Sequence, residues 1–278
     1  AEVAANAARQ SIAEAGIDPS RIGLLINASV SKDFVEPSTA SIIHGILGLG
    51  PHCRHFDLSN ACLGFLDAMD VGGQMIESGA VDYALIVAGE SARGVVDTTI
   101  RTLSRGDVTH QEFWNNFATL TLGSGAVAAV LGHASKTRTN HRINGCVTMA
   151  DTANNHLCRG THEGMITDSL KLLKAGVSLA RSTWGVARER LPSWDQQKIG
   201  HFVMHQVGKP HMDAICGALE LPTEKCFRSY PKYGNVGPAA VPLTLALARD
   251  AQALKEGDNI GLMGIGSGLN VSMMSMTW

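Results

Sequence analysis

Two spacings of apolar residues alternate along the first half of the chain, and each predicts a different element. Helical spacing runs from Ala1 to Ala15 and ends at Gly16. The unbroken apolar run Ile22 to Val30 is typical of a strand covered on both faces of its sheet. The same patterns predict strands at His55–Leu58, Tyr83–Gly89 and within Leu120–Gly132, and helices at Ala40–Leu47 and Leu63–Ser78. The polar stretch Arg93–Asn116 follows neither spacing, so we predict an irregular surface excursion.

The second half continues the alternation of strand and helix. Its predicted strands are Ile143–Met149, Gly200–Met204, Asn259–Ile265 and Asn270–Thr277, and its helices Asp168–Arg190, Gln206–Leu219 and Val236–Leu254. Thr152–Thr167, rich in His and Asn, is predicted to be irregular. This order indicates a layered α/β architecture in two halves, residues 1–133 and 134–278. Each half runs strand, reactive residue, helix, without a literal sequence repeat.

Composition narrows the class of protein. The 278 residues are 45% hydrophobic and 5% aromatic with a net charge of -2, which argues against a nucleic-acid partner. The sequence contains no apolar run of membrane-spanning length and does not open with a signal peptide. The six cysteines form no CxxC pair, which favours a reducing, cytoplasmic location.

Cys62 lies between a predicted strand and a predicted helix. We expect free N–H groups at the start of that helix, together with its dipole, to favour the thiolate. The small neighbours Ala61 and Gly64 leave room for a substrate. Most unpaired cysteines are buried apolar residues, and that alternative stands beside this one. The position favours a nucleophile that accepts an acyl group.

Three further positions are candidates for the same chemistry. A lone histidine is more often structural. His205, however, ends an apolar strand and begins a helix at the elbow that mirrors that of Cys62, so it is a better candidate for a general base or an oxyanion donor. Asn235 lies in a Gly-rich segment that would also suit an ordinary turn, but its amide could assist His205 at an oxyanion. The turn Gly266-Ser267-Gly268 lets backbone N–H groups approach a ligand.

Glu36 is a candidate base. A loop glutamate is usually solvated, but the apolar residues Phe34, Val35 and Pro37 flank this one. A carboxylate in an apolar pocket has a raised pKa and can remove a proton from a substrate. Glu36 is therefore a candidate for chemistry that begins with proton abstraction.

Two clusters resemble sets of metal ligands. Their spacing matches no standard zinc site. We therefore predict no metal at His52, Cys53 and His55 or at His156, Cys158 and His162.

The order and spacing of four motifs resemble the thiolase superfamily, and within it the ketoacyl synthase III-type enzymes. The motifs are Ser59-Asn60-Ala61-Cys62-Leu63-Gly64, His205-Gln206, Tyr233-Gly234-Asn235-Val236-Gly237 and Gly264-Ile265-Gly266-Ser267-Gly268. The resemblance covers essentially the whole chain. It implies a five-layered αβαβα thiolase fold with two pseudo-duplicated halves, an obligate homodimer and acyl transfer to a cysteine.

The resemblance also implies roles for individual residues. Cys62 is the nucleophile, and His205 with Asn235 forms one oxyanion hole. The N–H of Cys62 and an N–H of the Gly266–Gly268 turn, foremost that of Ser267, form the other. It implies no cofactor, because coenzyme A enters as part of the substrate. It does not identify the residues that bind the substrate.

Glu36 and its neighbours resemble one branch, the OleA-type enzymes of head-to-head olefin biosynthesis. That resemblance implies condensation of two long-chain acyl-CoA molecules without decarboxylation, with Glu36 acting in the partner's site across the dimer interface. Such an enzyme must remove a weakly acidic α-proton, so it needs a positioned base. The expected product is a 2-alkyl-3-ketoacyl thioester, which is later hydrolysed to a β-keto acid.

Other functions stay open. A decarboxylating synthase III would use a malonyl-carrier protein, an acyltransferase of the same fold would pass the acyl group to an alcohol or amine, and a catalytically silent subunit would only complete a dimer. The resemblance also implies a further strand-helix segment before Ala1, including a central strand. We therefore expect the functional protein to be longer.

Overall fold

The computed structural model describes residues 1–161 and 164–278. The strands of its first sheet are β1 (Ile22–Asn27), β2 (Arg54–Asp57), β3 (Tyr83–Glu90) and β4 (Gly125–Gly132), in spatial order β2-β1-β3-β4. β1 is parallel to both β2 and β3, whereas β4 is antiparallel to β3. Because β1 pairs directly with β3, the centre of this sheet does not have the gap that the resemblance implied.

Both faces of this sheet are covered, which explains the unbroken apolar runs. Alternate residues of a strand point to opposite faces. Leu25 and Leu85 pack on the side of α1 (Glu2–Ala15) and α2 (Thr39–Leu47). Leu24 and Ile86 pack on the opposite side, which α3 (Gly64–Glu77) covers.

The polar stretch after β3 is helical, so the prediction of irregular structure there is wrong. It forms α4 (Arg93–Leu103) and α5 (His110–Phe117). A capping box begins α5: the Thr109 hydroxyl accepts the Glu112 N–H, and the Glu112 carboxylate accepts the Thr109 N–H. Few side chains of these helices are buried, so their surface position agrees with the prediction.

The second half begins with β5 (Arg142–Ala150), followed by a hairpin of β6 (Cys158–Gly160) and β7 (Met165–Thr167). Its other strands are β8 (His201–Met204), β9 (Asn259–Gly266) and β10 (Asn270–Thr277), and the second sheet has the spatial order β5-β10-β9-β8. The hairpin corrects the prediction that Thr152–Thr167 is irregular throughout. Its strands are too short to give a clear two-residue alternation.

The helices of the second half are α6 (Ser169–Arg190), α7 (Lys209–Leu219), the short α8 (Tyr230–Tyr233) and α9 (Ala240–Asp250). The predicted helix start at Val236 is wrong, because a 3-10 turn over Gly237–Ala239 precedes α9. Asp168 lies just outside α6 as its N-cap, and its carboxylate accepts the N–H of Lys171 at 3.1 Å.

Together the elements form five layers, αβαβα, as expected for a thiolase fold. The helices α1 and α2 cover the outer face of the first sheet, and α6 and α7 cover the outer face of the second. Between the sheets lie α3 and α9, which contact strands of both. The core around this middle layer includes Phe65 of α3 and Val241 of α9. The expected fold class is therefore confirmed.

The two sheets repeat one pairing pattern. In each, an antiparallel strand (β4 or β10) pairs with a long strand (β3 or β9), which pairs in parallel with a shorter one (β1 or β8). Next to β1 comes β2, and next to β8 comes a single parallel bridge between Phe202 and Cys226. The counterpart of β8 is thus β1, not β2. The prediction that His205 and Cys62 occupy matching elbows is therefore wrong.

Candidate active site

Cys62 lies in a tight turn between β2 and the central helix α3. The N–H of Leu63 donates to the carbonyl of Asn60 at 3.0 Å and closes this turn. Glycine is required at position 64, because a Cβ on Gly64 would lie 2.8 Å from the carbonyl oxygen of Ala28. The turn therefore holds Cys62 just before the N-terminus of α3, between the two sheets.

The Cys62 thiol is protonated at rest, which contradicts the predicted thiolate. Burial raises its pKa to about 12, and the nearby Cys158 and Glu90 add to the rise. A helix dipole contributes about 0.3–1 kcal/mol, less than one pKa unit, whereas desolvation shifts buried groups by up to about 3–5 units. Desolvation therefore decides the protonation state, although the residue keeps partial solvent exposure. The N–H groups of the two following residues are bonded within the turn, not to the sulfur.

The hairpin after β9 packs directly on the turn around Cys62. A Cβ placed on Gly266 would lie 3.2 Å from the Asn60 carbonyl oxygen and 3.4 Å from the Leu63 nitrogen. The amide of Asn270 donates to the side-chain oxygen of Asn60 at 3.2 Å. The backbone of the second half is thus packed against the candidate nucleophile of the first.

His205 follows β8 and lies next to the same contact. Its N–H donates to the Met263 carbonyl at 2.8 Å, and Gly264 follows on β9. A Cβ on Gly264 would overlap the side chain of Leu63, the residue after Cys62. The backbone of His205 and the turn around Cys62 therefore contact neighbouring residues of β9.

The imidazole of His205 is neutral. Burial, followed by the nearby His211, lowers the pKa of His205 to about 3. The residue is 3% exposed, and its Nδ1 has no hydrogen-bond partner in the described part of the chain. The ring centroid of His211 lies 6.3 Å from that of His205. A neutral imidazole can either accept a proton from a thiol or donate its own N–H to an oxyanion.

Asn235 is held by the first half of the chain. Its N–H donates to the Thr121 carbonyl and its carbonyl accepts the Gly123 N–H, both at 2.8 Å. The side-chain oxygen of Asn235 accepts the N–H of Gly237 at 3.0 Å, which leaves the amide NH₂ to act as a donor. Asn235 leads into α9 through the 3-10 turn, as Cys62 leads into α3.

Gln206 also contributes to the site, although its motif gave it no role. Its amide donates to the Phe227 carbonyl at 2.8 Å, and its oxygen accepts the N–H groups of Ser229 and Tyr230 at 2.9 and 3.1 Å. Gln206 therefore ties the elbow of His205 to the segment that leads to α9. These partners are distant in sequence, so only the fold reveals them.

Glu36 does not lie in the apolar pocket that its neighbours suggested. It is exposed on a loop between β1 and α2. The flanking Phe34 is 59% exposed and Val35 is 84% exposed. The protomer thus packs the segments of Cys62, His205 and Gly266 against one another and presents Glu36 outward.

In the described residues, no group of three or more His, Cys, Asp or Glu side chains is arranged to hold a metal ion. These residues include His52, Cys53 and His55, whereas His162 of the second cluster lies outside them. Within the same part of the chain, none of the helices has both the length and the apolar character needed to span a membrane.

The architecture and the site match one family of enzymes. The family model of 3-oxoacyl-[acyl-carrier-protein] synthase III matches residues 56–152, and the family model of the synthase III C terminus matches residues 191–278. A β-ketoacyl-[acyl-carrier-protein] synthase III of Bacillus pumilus is 29% identical, over 98% of this chain and 81% of the relative. The chain belongs to the synthase III family of the thiolase superfamily, and it is an acyl-transferring condensing enzyme.

Two other comparisons show a higher similarity. An acyl-CoA:acyl-CoA alkyltransferase of Xanthomonas campestris is 43% identical over 100% of this chain and 82% of the relative. A crystal structure of Xanthomonas campestris OleA, a cysteine-to-serine variant with bound lauric acid and lauroyl-CoA, matches with a TM-score of 0.97 at 43% identity. That match covers 100% of this chain and 82% of the other.

Proposed function

We propose that this enzyme joins two long-chain acyl-CoA molecules by a Claisen condensation without decarboxylation, using Cys62 as nucleophile and Glu36 as base. The observation that carries the proposal is the outward Glu36 loop. Glu36 follows two exposed apolar side chains, Phe34 and Val35. Exposed apolar side chains often mark a protein interface, so we expect a partner subunit to cover this loop. The similarity to an acyl-CoA:acyl-CoA alkyltransferase over the whole chain supports the same reaction.

In the first step, the Cys62 sulfur attacks the thioester carbonyl of one acyl-CoA. The S–H bond breaks, and the neutral imidazole of His205 takes the proton. The bond from the carbonyl carbon to coenzyme A then breaks, and the coenzyme A thiolate takes up that proton. Backbone N–H groups of Cys62 and of the Gly266–Gly268 turn, foremost Ser267, stabilise the oxyanion.

In the second step, the partner subunit's Glu36 takes a proton from the α-carbon of the second acyl-CoA. His205 and Asn235 donate hydrogen bonds to the resulting enolate oxygen. The carbanion attacks the acyl carbonyl on Cys62, a carbon–carbon bond forms, and the bond from that carbonyl carbon to the Cys62 sulfur breaks. The proton that the partner's Glu36 removed then passes to the leaving thiolate, which restores both groups. Hydrolysis of the 2-alkyl-3-ketoacyl-CoA by water then gives the β-keto acid and coenzyme A. No further cofactor takes part.

The exposed edge of the first sheet supports a homodimer. Among the described residues, β2 pairs with β1 on one side only, and its residues Arg54, His55 and Phe56 are exposed. An unpaired edge strand is a template for pairing with a second chain. Asp57, which ends β2, accepts N–H groups at the start of α2, just after the Glu36 loop. An interface along β2 would therefore cover that loop as well.

The product formed from myristoyl-CoA alone tests the proposal. We expect a β-keto acid, or the ketone that it yields on decarboxylation, detected by mass spectrometry. Carbon dioxide released from a labelled malonyl thioester would instead favour the decarboxylating synthase III, which the similarity to the Bacillus enzyme supports. Transfer of the acyl group to an added alcohol or amine would favour an acyltransferase. No adduct on Cys62 would favour a silent subunit.

Replacing the base separates the two steps. Glu36→Gln keeps the shape of the side chain but removes the base, so we expect normal acylation of Cys62 and a loss of condensation of about 100-fold or more. Asp33→Asn, which neutralises another exposed carboxylate on the same loop, is the matched control and should condense normally. Normal condensation by Glu36→Gln would end the proposal.

A further inference from the structure

Glu90 is a buried carboxylate to which the reaction above gives no role. It ends β3 and is only 7% exposed. Burial raises its pKa, and in the described part of the chain no cation is among the groups that set it. An acidic side chain without a cationic partner is costly to bury, so its hydrogen bonds must compensate.

The hydrogen bonds of Glu90 go to the start of the Glu36 loop. One oxygen accepts the N–H of Val30 at 2.8 Å, and the other accepts the N–H and the hydroxyl of Ser31 at 3.0 and 2.7 Å. The Ser31 hydroxyl in turn accepts the N–H of Ser91 at 3.1 Å. Glu90 thus fixes the point at which the chain leaves the sheet on its way to Glu36.

A second carboxylate fixes the end of the same loop. Asp57 accepts the N–H groups of Thr39 and Ala40 at 3.1 and 2.8 Å, at the start of α2. Between these anchors, the residues from 32 to 37 are all exposed, so packing in the core does not fix their positions. The direction in which Glu36 points therefore depends on both anchors.

We infer that Glu90 is a positioning residue that aims the Glu36 loop at the active site of the partner subunit. The inference rests on the proposed function, in which Glu36 acts across the interface. Glu90 also stands close to its own site, since a Cβ on Gly237 would lie 3.8 Å from its carboxyl carbon. The experiment must therefore separate an effect on the partner's site from an effect on the subunit's own Cys62.

Glu90→Gln tests the inference because the amide has the same size but only one acceptor oxygen. Its NH₂ would face the N–H of Val30 or of Ser31, and two donors cannot bond. We expect the acyl adduct on Cys62 to form normally, while condensation falls by about 100-fold, the loss that a misplacement of about 1 Å can cause. Ser31→Ala, which loses one of the three hydrogen bonds but keeps the carboxylate, should lose less. Asp70→Asn on α3 is the control and should condense normally.

Mixed dimers, isolated with two affinity tags, give the decisive readout. One subunit carries Cys62→Ala, so only its partner can be acylated. Glu90→Gln placed on the Cys62→Ala subunit should silence condensation at the partner's intact cysteine. Placed instead on the subunit with the intact cysteine, it should leave condensation at the level of the mixed dimer without it.

The opposite pattern, or equal loss in both arrangements, would overturn the inference, because Glu90 would then act on its own site or on the fold as a whole. Normal condensation in both arrangements would overturn it too. Glu36→Gln in the same two arrangements is the reference. If Glu36→Gln silences neither arrangement, or silences the wrong one, the proposed function fails regardless of Glu90.

Discussion

The two halves of the molecule share one strand order but use it differently. The N–H of Ala28, just after β1, donates to Val87 of β3 at 2.8 Å, and the N–H of His205, just after β8, donates to Met263 of β9 at 2.8 Å. The counterpart of His205 is therefore an alanine. Only one of two equivalent strand ends carries an imidazole, so the duplication supplies a framework and not a pair of matching catalytic groups.

The true counterpart of the Cys62 segment is the segment that leads to Asn235. β2 lies beside β1 as the bridge at Cys226 lies beside β8, and each segment then enters a helix of the middle layer. Each is also held by the opposite half. The Cys62 turn packs on Gly266, whereas the backbone of Asn235 bonds to the segment before β4. Neither half would keep its site residue in place alone.

The largest effects should come from removing these two counterparts, and the comparison predicts that they differ in kind. Cys62→Ala removes the proposed nucleophile, so we expect neither acyl adduct nor product. Asn235→Ala removes one of the two hydrogen-bond donors proposed for the enolate, so we expect the adduct to form and condensation to fall by about 100- to 1,000-fold. Mass spectrometry of the enzyme after mixing with acyl-CoA measures the adduct, and product analysis measures condensation.

If Asn235→Ala also abolished the adduct, the amide of Asn235 would be needed for acylation. The prediction that Cys62 serves acylation and Asn235 serves only condensation would then be wrong. Gln197→Ala is a useful control, since this exposed residue lies in the loop before β8, away from both segments. It should leave both measurements unchanged.

A smaller effect should follow from disturbing how the first half holds Asn235. A Cβ on Gly123 would overlap the carbonyl oxygen of Tyr233. Gly123→Ala should therefore cost about 1–3 kcal/mol of unfolding free energy, as overpacking does, and lower condensation more than acylation. Urea denaturation and the two activity measurements test this.

The matched control is Gly73→Ala on α3, where a Cβ would meet nothing within 4 Å. That change should be neutral, or stabilise the helix by up to about 1 kcal/mol. Equal behaviour of the two variants would show that the contact between the Gly123 backbone and the Asn235 segment does not matter.

The sequence predicted those features that depend on neighbours along the chain. β1 and β3 were recognisable because both of their faces are buried, which leaves an unbroken apolar run. The helices α4 and α5 were missed because they lie on the surface, where polar side chains obscure the helical spacing. The bonds of Glu90 join positions about 60 residues apart, so no local pattern reveals them.

The thiolate prediction failed for a different reason. The helix start after Cys62 was predicted correctly, but the dipole of a helix is a smaller effect than burial of a thiol. How deeply a residue lies between two sheets is a property of the whole fold. A sequence therefore predicts the order of the layers more readily than it predicts how deeply one side chain is buried between them.

The smallest predicted effect concerns the asymmetry at the two strand ends, an imidazole in one half and Ala28 in the other. Burial holds the pKa of His205 at about 3 in the folded protein, below its ordinary value of 6.5. The unfolded chain therefore binds a proton more readily, and stability falls as the pH drops from about 6.5 towards 3. His205→Asn cannot titrate in this range, so its unfolding free energy should fall less between about pH 7.5 and pH 5 than that of the parent. Urea denaturation at the two pH values measures this, with His133→Asn, at an exposed histidine, as the control. An unchanged pH slope in His205→Asn would mean that the imidazole is hydrated or charged in the folded enzyme, and the neutral base proposed for the first step would be lost with it.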